Sequence, residues 1–400
     1  MNPLVSTPVV VAVSGGIAAY KAADLVSSLV QAGAVVDVIM TRGAREFVRP
    51  LTFQALTHRT VHEDLFAPWS EASLGHVSLA RDAALLIVAP ASANTITRLA
   101  LGMADDLLGA VALSTRAPIL LAPAMEHHMV HHPATRGNLD TLVARGATLV
   151  GPASGRLASG ETGDGRLAAI PDIIAAARWL LGRAGPMAGR HVVVTAGGTR
   201  EPIDPVRYLT NGSSGLMGYA IARAAIDAGA TVCLISAPVA LPPVPGAEMV
   251  RVETAQEMAA AVGEQTGWAD VLIMAAAVSD FRPASVAGEK VKKRGDGSGL
   301  SLDLVPNPDI LASLDRPGLL KVGFAAETED LIANARSKLV AKGLAMIVAN
   351  DARVAIGRPD NEVVFLTPGT DPEPLPRMAK DDLAAILIAR IAGLLDRDRA

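Results

Sequence analysis

The chain has 400 residues, 36 basic and 40 acidic, for a formal net charge of −4; 50% are hydrophobic and 19% charged. That balance excludes a disordered chain and a basic nucleic-acid surface, and aromatics at 3% exclude base-stacking platforms. The single cysteine, Cys233 in ATVCLI, excludes an intrachain disulfide framework and cysteine-rich zinc sites, and reads as a buried core thiol. No uncharged apolar run reaches 18 residues, so no transmembrane helix is expected. The opening MNPLVSTPVVVAVSGG lacks the basic start of a signal peptide. A cytoplasmic α/β enzyme of two or three domains is what remains.

Val9–Val13 (VVVAV) reads as a buried strand ending at Ser14-Gly15-Gly16. A helix follows, with Ala22, Leu25, Val26, Leu29 and Val30 at helical spacing and Gly33 as its cap. Val35–Met40, Leu85–Ala89, Ile119–Ala122 and Thr148–Val150 are the next predicted strands. Apolar strands alternating with amphipathic helices predict a parallel sheet covered on both faces. The stretch LGRAGPMAG (181–189) interrupts the pattern and reads as a linker, placed at 183–189. The pattern then restarts with His191–Thr195, a helix from about Ser214 to Gly229, and strands at Thr231–Ile235, Val271–Ala275, Leu320–Phe324, Ala345–Ala349 and Val363–Leu366. Helices are expected at Asp330–Ala341 and Asp381–Leu395. The expected organisation is two doubly wound α/β domains, 1–182 and 190–400, each opening with strand, Gly-Gly and helix.

Ligands in such folds bind at the C-terminal ends of the strands, where the polar loops 14–16, 90–95, 123–129, 197–207 and 276–283 fall. Ser14-Gly15-Gly16-Ile17 suits a phosphate at a helix N-terminus, or simply a tight turn. It matches neither GxGxxG nor the P-loop. His76 precedes a strand, and a lone histidine is more often structural than catalytic. Glu126-His-His-Met-Val-His-His132 offers histidine pairs at i,i+4 that could bind a metal. A solvated helix face is the simpler reading, and no metal is expected there. In the second half, GGTREPIDPVR (197–207) and NGSSGLMG (211–218) are polar loops ahead of a helix. KVKKR (290–294) reads as a basic flap over phosphates, and Lys338 and Lys342 share a helix face at i,i+4.

These residues carry two resemblances. Pro90-Ala-Ser-Ala-Asn-Thr95, Pro123-Ala-Met-Glu-His-His-Met-Val130, Gly15–Lys21, Gly75-His76-Val77 and Ala104–Leu108 resemble the motifs of homo-oligomeric flavin-containing cysteine decarboxylases, over about residues 8–180. That resemblance implies a flavodoxin-like, Rossmann-type flavoprotein domain binding FMN. Ser14, Gly15, Gly16, Ile17 and Thr41 would lie near its phosphate, and Ser92 and Met125 near its ring. His76 would be the catalytic base. Three positions depart from the pattern: Glu126 replaces the usual Asn of a substrate contact, Val130 a Trp, and Ser159 the usual proton-donor cysteine.

GGTREPIDPVR, NGSSGLMG, AAAVSDFRP (275–283), KVKK (290–293), NPDIL (307–311), GFAAET (323–328) and AND (349–351) resemble phosphopantothenate–cysteine ligase, almost unbroken over 188–395. The resemblance implies a second Rossmann-like α/β domain using CTP and Mg²⁺. Asn211 would hold an acyl-cytidylate and Lys290 would assist attack by cysteine. Ala276, Asp280, Pro308, Asp309, Ile310, Phe324, Lys338 and Lys342 would line the substrate and nucleotide site. Leu216 stands where the family usually has Lys. The order of the halves resembles the bifunctional family of coenzyme A biosynthesis. It implies 4′-phosphopantothenate, cysteine and CTP as substrates, and a homo-oligomer with trimeric decarboxylase and dimeric ligase contacts. The alternative is a ligase whose degenerate flavin domain serves as an oligomerisation scaffold.

Overall fold

The computed structural model describes residues 2–66, 75–292, 299–355 and 357–397. The chain forms two compact units, Asn2–Leu181 and Gly182 onward.

The strands of the first unit are β1 (Pro8–Val13), β2 (Val35–Met40), β3 (Val61–His62), β4 (Leu85–Ala91), β5 (Ile119–Pro123) and β6 (Thr148–Leu149). Near-continuous runs of Val, Leu, Ile and Ala bury the central strands β1, β4 and β5 on both faces, and the shorter, half-buried β3 and β6 flank them. The sheet order is β3-β2-β1-β4-β5-β6, all parallel, a Rossmann order whose direction reverses between β1 and β4. Helix Lys21–Gln31 buries Ala22, Leu25, Val26 and Leu29 against one face, and Gly33 follows it at φ 94°. A two-stranded antiparallel hairpin, β7 (Ala153–Arg156) and β8 (Thr162–Arg166), stands apart from the sheet. Its sequence is polar and glycine-rich, so no apolar run announces it.

The second unit begins in the stretch read as a linker. Met187 is fully buried in its core, and its N–H donates to the Ala228 carbonyl at 2.8 Å. The strands that follow are β9 (His191–Ala196), β10 (Arg200–Pro202), β11 (Tyr208–Thr210), β12 (Thr231–Ser236), β13 (Ala247–Arg251), β14 (Val271–Met274), β15 (Phe281–Pro283), β16 (Leu304–Pro306), β17 (Leu320–Glu327), β18 (Met346–Asp351), β19 (Asp360–Leu366) and β20 (Glu373–Ala379). The main sheet runs β13-β12-β9-β14-β17-β18-β19-β20 and reverses direction between β9 and β14. The expectation of a parallel sheet needs one correction: β19 and β20 join antiparallel. The short connections 352–359 before β19 and 367–372 after it permit reversals but no crossover. β20 is an edge strand carrying Pro374 and Pro376. Helix Leu216–Asp227 lies so close to β9 that a Cβ on Gly218 would sit 2.6 Å from the Ala196 Cβ.

Met187→Ala is expected to destabilise the second unit by about 2–5 kcal/mol, the range for emptying a buried Met site. Urea unfolding of the full chain, followed by a probe in the second unit, measures this. An unshifted midpoint would mean that the segment is a passive tether.

Candidate active sites at the two switch points

Each sheet carries a cavity at the C-terminal ends of its strands, where the strand order reverses. In the first unit a cavity of about 540 Å³ lies among Gly15, Thr41–Gly43, Ser92, Asn94, Thr95, Arg98 and the start of helix Leu107–Ser114. That volume suits a cofactor-sized ligand. Ser92 caps helix Ala93–Leu101, accepting from Thr95 N–H at 3.3 Å, so this helix directs its free amides at the cavity rim. Arg98 pairs with Asp105 and with Asp106, and Arg45 with Glu63 at 3.0 Å. Gly15 packs on the Gly43 backbone so tightly that a Cβ would lie 2.7 Å from Gly43 C. A glycine cradle, helix N-terminal amides and nearby guanidinium groups fit a phosphate-bearing cofactor.

Of the residues expected near a flavin, Gly15, Thr41 and Ser92 line this cavity, while Ser14, Gly16, Ile17, Met125 and His76 are not among its lining residues. Ser14 is fully buried; its hydroxyl donates to the Pro90 carbonyl at 2.7 Å and accepts from Ser92 N–H at 2.9 Å. It is a strut joining the glycine turn to the 90–95 loop, and its side chain has no lone approach to a phosphate. His76 lies in helix Gly75–Asp82, directly after residues 67–74, which are outside the described set. The Glu126 carboxylate caps helix His127–His131, accepting from His128 N–H at 2.8 Å and from Met129 N–H at 3.3 Å. Ser159 is exposed in the turn of the β7–β8 hairpin. The histidines expected on a solvated face are partly engaged: His127 Nδ1 accepts from Asp164 N–H and His131 bonds the Asp164 carboxylate, both at 3.1 Å.

In the second unit a cavity of about 550 Å³ collects Asn211, Ala276, Asp280, Pro308, Asp309, Ile310, Phe324, Lys338 and Lys342. These are nine of the ten positions expected there; Lys290 does not line it. Two loops at the ends of β9 and β14 form the floor. Ala277 N–H donates to Gly197 O at 2.8 Å, and Ala276 N–H and Ser279 N–H donate to the hydroxyls of Thr195 and Thr199. Asn211 Nδ2 donates to Val278 O at 3.1 Å, which fixes the side chain at the junction. Lys338 pairs with Glu327 at 2.6 Å and Lys342 with Asp309 at 2.9 Å. Burial opposes ionisation of Asp309, yet the Lys342 hydrogen bond and the amides of its own helix cap hold its carboxyl below the usual value. Asn350, Asn361 and Lys380 also line the cavity and went unpredicted. Lys380 is buried, which lowers its pKa, with Asp360 acting in the opposite sense. Only the string AND marked Asn350; a lone Lys opening the last helix gave no signal for Lys380.

Lys290 adjoins the root of a loop fixed by Asp204. The buried Asp204 carboxylate accepts from Arg207 Nε at 2.9 Å, from Arg207 and Val206 N–H, and from Val291 N–H at 3.1 Å. The Arg207 hydrogen bond holds this carboxyl far below the usual range. Lys293 and Arg294 of the expected basic flap lie outside the described residues.

Residues 2–181 match the family described as Flavoprotein, and residues 187–395 match the DNA/pantothenate metabolism flavoprotein C-terminal domain. The coenzyme A biosynthesis bifunctional protein CoaBC of Vibrio cholerae is 44% identical over 397 residues, 97% of this chain and 98% of that protein. The chain belongs to this bifunctional family. Its Bacillus subtilis member is 45% identical over 394 residues, covering 96% of this chain and 97% of its own. The crystal structure of a CoaBC C-terminal domain is 38% identical, covers 52% of this chain and 97% of its own, and superposes with a TM-score of 0.45. Among the described residues no helix is long and apolar enough to cross a membrane.

Proposed function

We propose that the chain joins 4′-phosphopantothenate to cysteine with CTP and then decarboxylates the product to 4′-phosphopantetheine. The observation that carries the ligase half is the gathering of nine expected positions on one cavity at the switch point. In this reading the substrate carboxylate attacks the α-phosphorus of CTP, and pyrophosphate leaves. The cysteine amine then attacks the acyl carbon and releases CMP. Asn211 holds the acyl-cytidylate, and Phe324 and the 308–310 turn seat the nucleotide. Asp280 and Ala276 bound the acyl end. Lys338, Lys342 and Lys380 offset the triphosphate charge. Lys290 approaches from the loop rooted on Asp204 to assist the amine. Mg²⁺ accompanies the triphosphate, and no protein ligand is assigned to it.

In the first unit Gly15 and Thr41–Gly43 would hold the FMN phosphate, with Ser92 toward the ring. Bound FMN would supply two-electron redox chemistry at the cysteine-derived carbons, from which CO₂ is lost. His76 acts as base. Met125 and Glu126 flank the substrate from the loop after β5, and Ser159 occupies the proton-donor position on the hairpin. A serine is a weaker acid than the cysteine usual there, so proton return is the slow part of the second reaction. A homo-oligomer and a cytoplasmic location are part of the same reading.

Incubating the purified chain with 4′-phosphopantothenate, cysteine, CTP and Mg²⁺ is expected to yield pyrophosphate, CMP, CO₂ and 4′-phosphopantetheine by mass analysis. Accumulation of the undecarboxylated conjugate alone would leave only the ligase half standing.

A further inference from the structure

Between the loop after β5 and the β7–β8 hairpin lies a cluster that neither reaction uses. His127 and His131 stand one turn apart on helix His127–His131, with ring centroids 4.5 Å apart. Asp164 of β8 faces both. One ligating atom from each of the three lies within 4.8 Å of the others. The arrangement is built on both sides. Gly163 leaves the space that His127 fills, since a Cβ there would sit 2.7 Å from Nδ1. Ser154 of β7 donates to Asp164 Oδ1, leaving Oδ2 toward His131.

We propose that His127, His131 and Asp164 form a binding site for a borderline divalent transition metal, of which Zn²⁺ is the test case, and that the ion ties the hairpin to the helix. Two imidazoles and one carboxylate select such an ion over Mg²⁺ or Ca²⁺, which prefer oxygen ligands. Three protein ligands leave a fourth position for water. Histidines at i,i+4 on one helical face present their rings side by side, as helical zinc sites require. The neighbouring group Glu126, His128 and Glu161 also spans helix and hairpin. It is the poorer site, because the Glu126 carboxylate is already committed to the helix cap.

In the metal-free state protons do the ion's work. Arg136 donates to His131 Nδ1 at 2.7 Å, so the neutral ring carries its proton on Nε2 and donates it to Asp164. A ring that binds metal through one nitrogen keeps its proton on the other. The guanidinium has donors only, so metal on His131 Nε2 and the Arg136 contact exclude each other. His127 Nδ1 must likewise exchange its bond from Asp164 N–H for the ion, or carry the proton itself. Arg136 therefore acts against the metal, and a side chain that can accept from Nδ1 acts for it.

The test is calorimetric titration of untagged, EDTA-treated full-length protein with Zn²⁺. The expected result is one equivalent bound in the wild type, binding weakened at least tenfold in His131→Ala and Asp164→Asn, and binding tightened in Arg136→Gln. Far-UV circular dichroism confirms that each variant is folded. Zn²⁺ is also expected to slow tryptic cleavage at Arg156 and Arg166 in the wild type and not in His131→Ala. Wild-type protein that binds no Zn²⁺ below millimolar concentration would overturn the site. So would losses that follow His128→Ala and Glu161→Gln in place of the His131 and Asp164 variants. Equal cleavage with and without Zn²⁺ would overturn the tie between hairpin and helix.

Discussion

Replacing Gly15 with valine is expected to give a folded, colourless protein that does not take up FMN. The cause is backbone crowding. A Cβ at residue 15 would lie 2.7, 2.8 and 2.9 Å from the carbonyl carbon, Cα and oxygen of Gly43. No side-chain rotation relieves a contact with main chain, so the Thr41–Gly43 turn must move, and that turn forms one wall of the cavity. Gly16 supplies the control. Its Cβ would meet nothing within 4 Å, and its φ of 172° is ordinary extended backbone. Gly16→Ala should therefore keep its flavin. Absorbance near the flavin band after reconstitution with FMN reads both. A yellow Gly15→Val protein would remove the phosphate from this turn.

The second large effect is expected from Lys338→Gln combined with Lys342→Gln. Each ammonium neutralises a carboxylate, Glu327 at 2.6 Å and Asp309 at 2.9 Å. Removing the pair subtracts two positive charges from the cavity wall and leaves two carboxylates uncompensated beside a triphosphate. Like charges a few ångströms apart near a surface repel by about 4 kcal/mol before screening. A loss of about a hundredfold in kcat/KM for CTP, about 2.7 kcal/mol, is a conservative expectation. The defect should shrink as salt is raised, because exposed charges are screened. The flavin band should be unchanged. Full ligase activity in the double variant would place the triphosphate elsewhere.

The apolar runs made the central strands of both sheets legible, because a strand buried on both faces has no room for polar residues. The elements that escaped lack that signature. β13 (AEMVR) is a half-exposed edge, and β7 and β8 are built from Ser, Gly, Arg, Thr and Asp. Met187 looked like linker because its neighbours are Gly, Pro and Ala, and only its docking partner at Ala228 shows otherwise. Site residues behaved similarly. The alternation put the 276–283 loop at a strand end, whereas Asn211, Asp280 and the 307–311 turn were legible as site residues only through the ligase-like strings that contain them. The strut formed by Ser14 was not legible, since its partner Pro90 is 76 residues away. Nor was the pairing of His131, whose partner Asp164 lies on a hairpin with no periodic pattern.

The prolines of β20 have a consequence for self-assembly. Pro374 stands opposite Val364, and Pro376 lies where the register between β19 and β20 shifts, between Leu375 and Met378. Proline is tolerated in a sheet where its missing N–H faces outward from an edge. Two prolines remove two N–H donors from this edge strand and its register is irregular beside Pro376, so an incoming strand would find an incomplete ladder. This blunts the edge against runaway strand addition, the route by which open sheets aggregate. If copies of this chain associate through the second unit, prolonging the eight-stranded sheet across β20 is disfavoured, which turns symmetric contacts toward its other margin, its helices or its small hairpins.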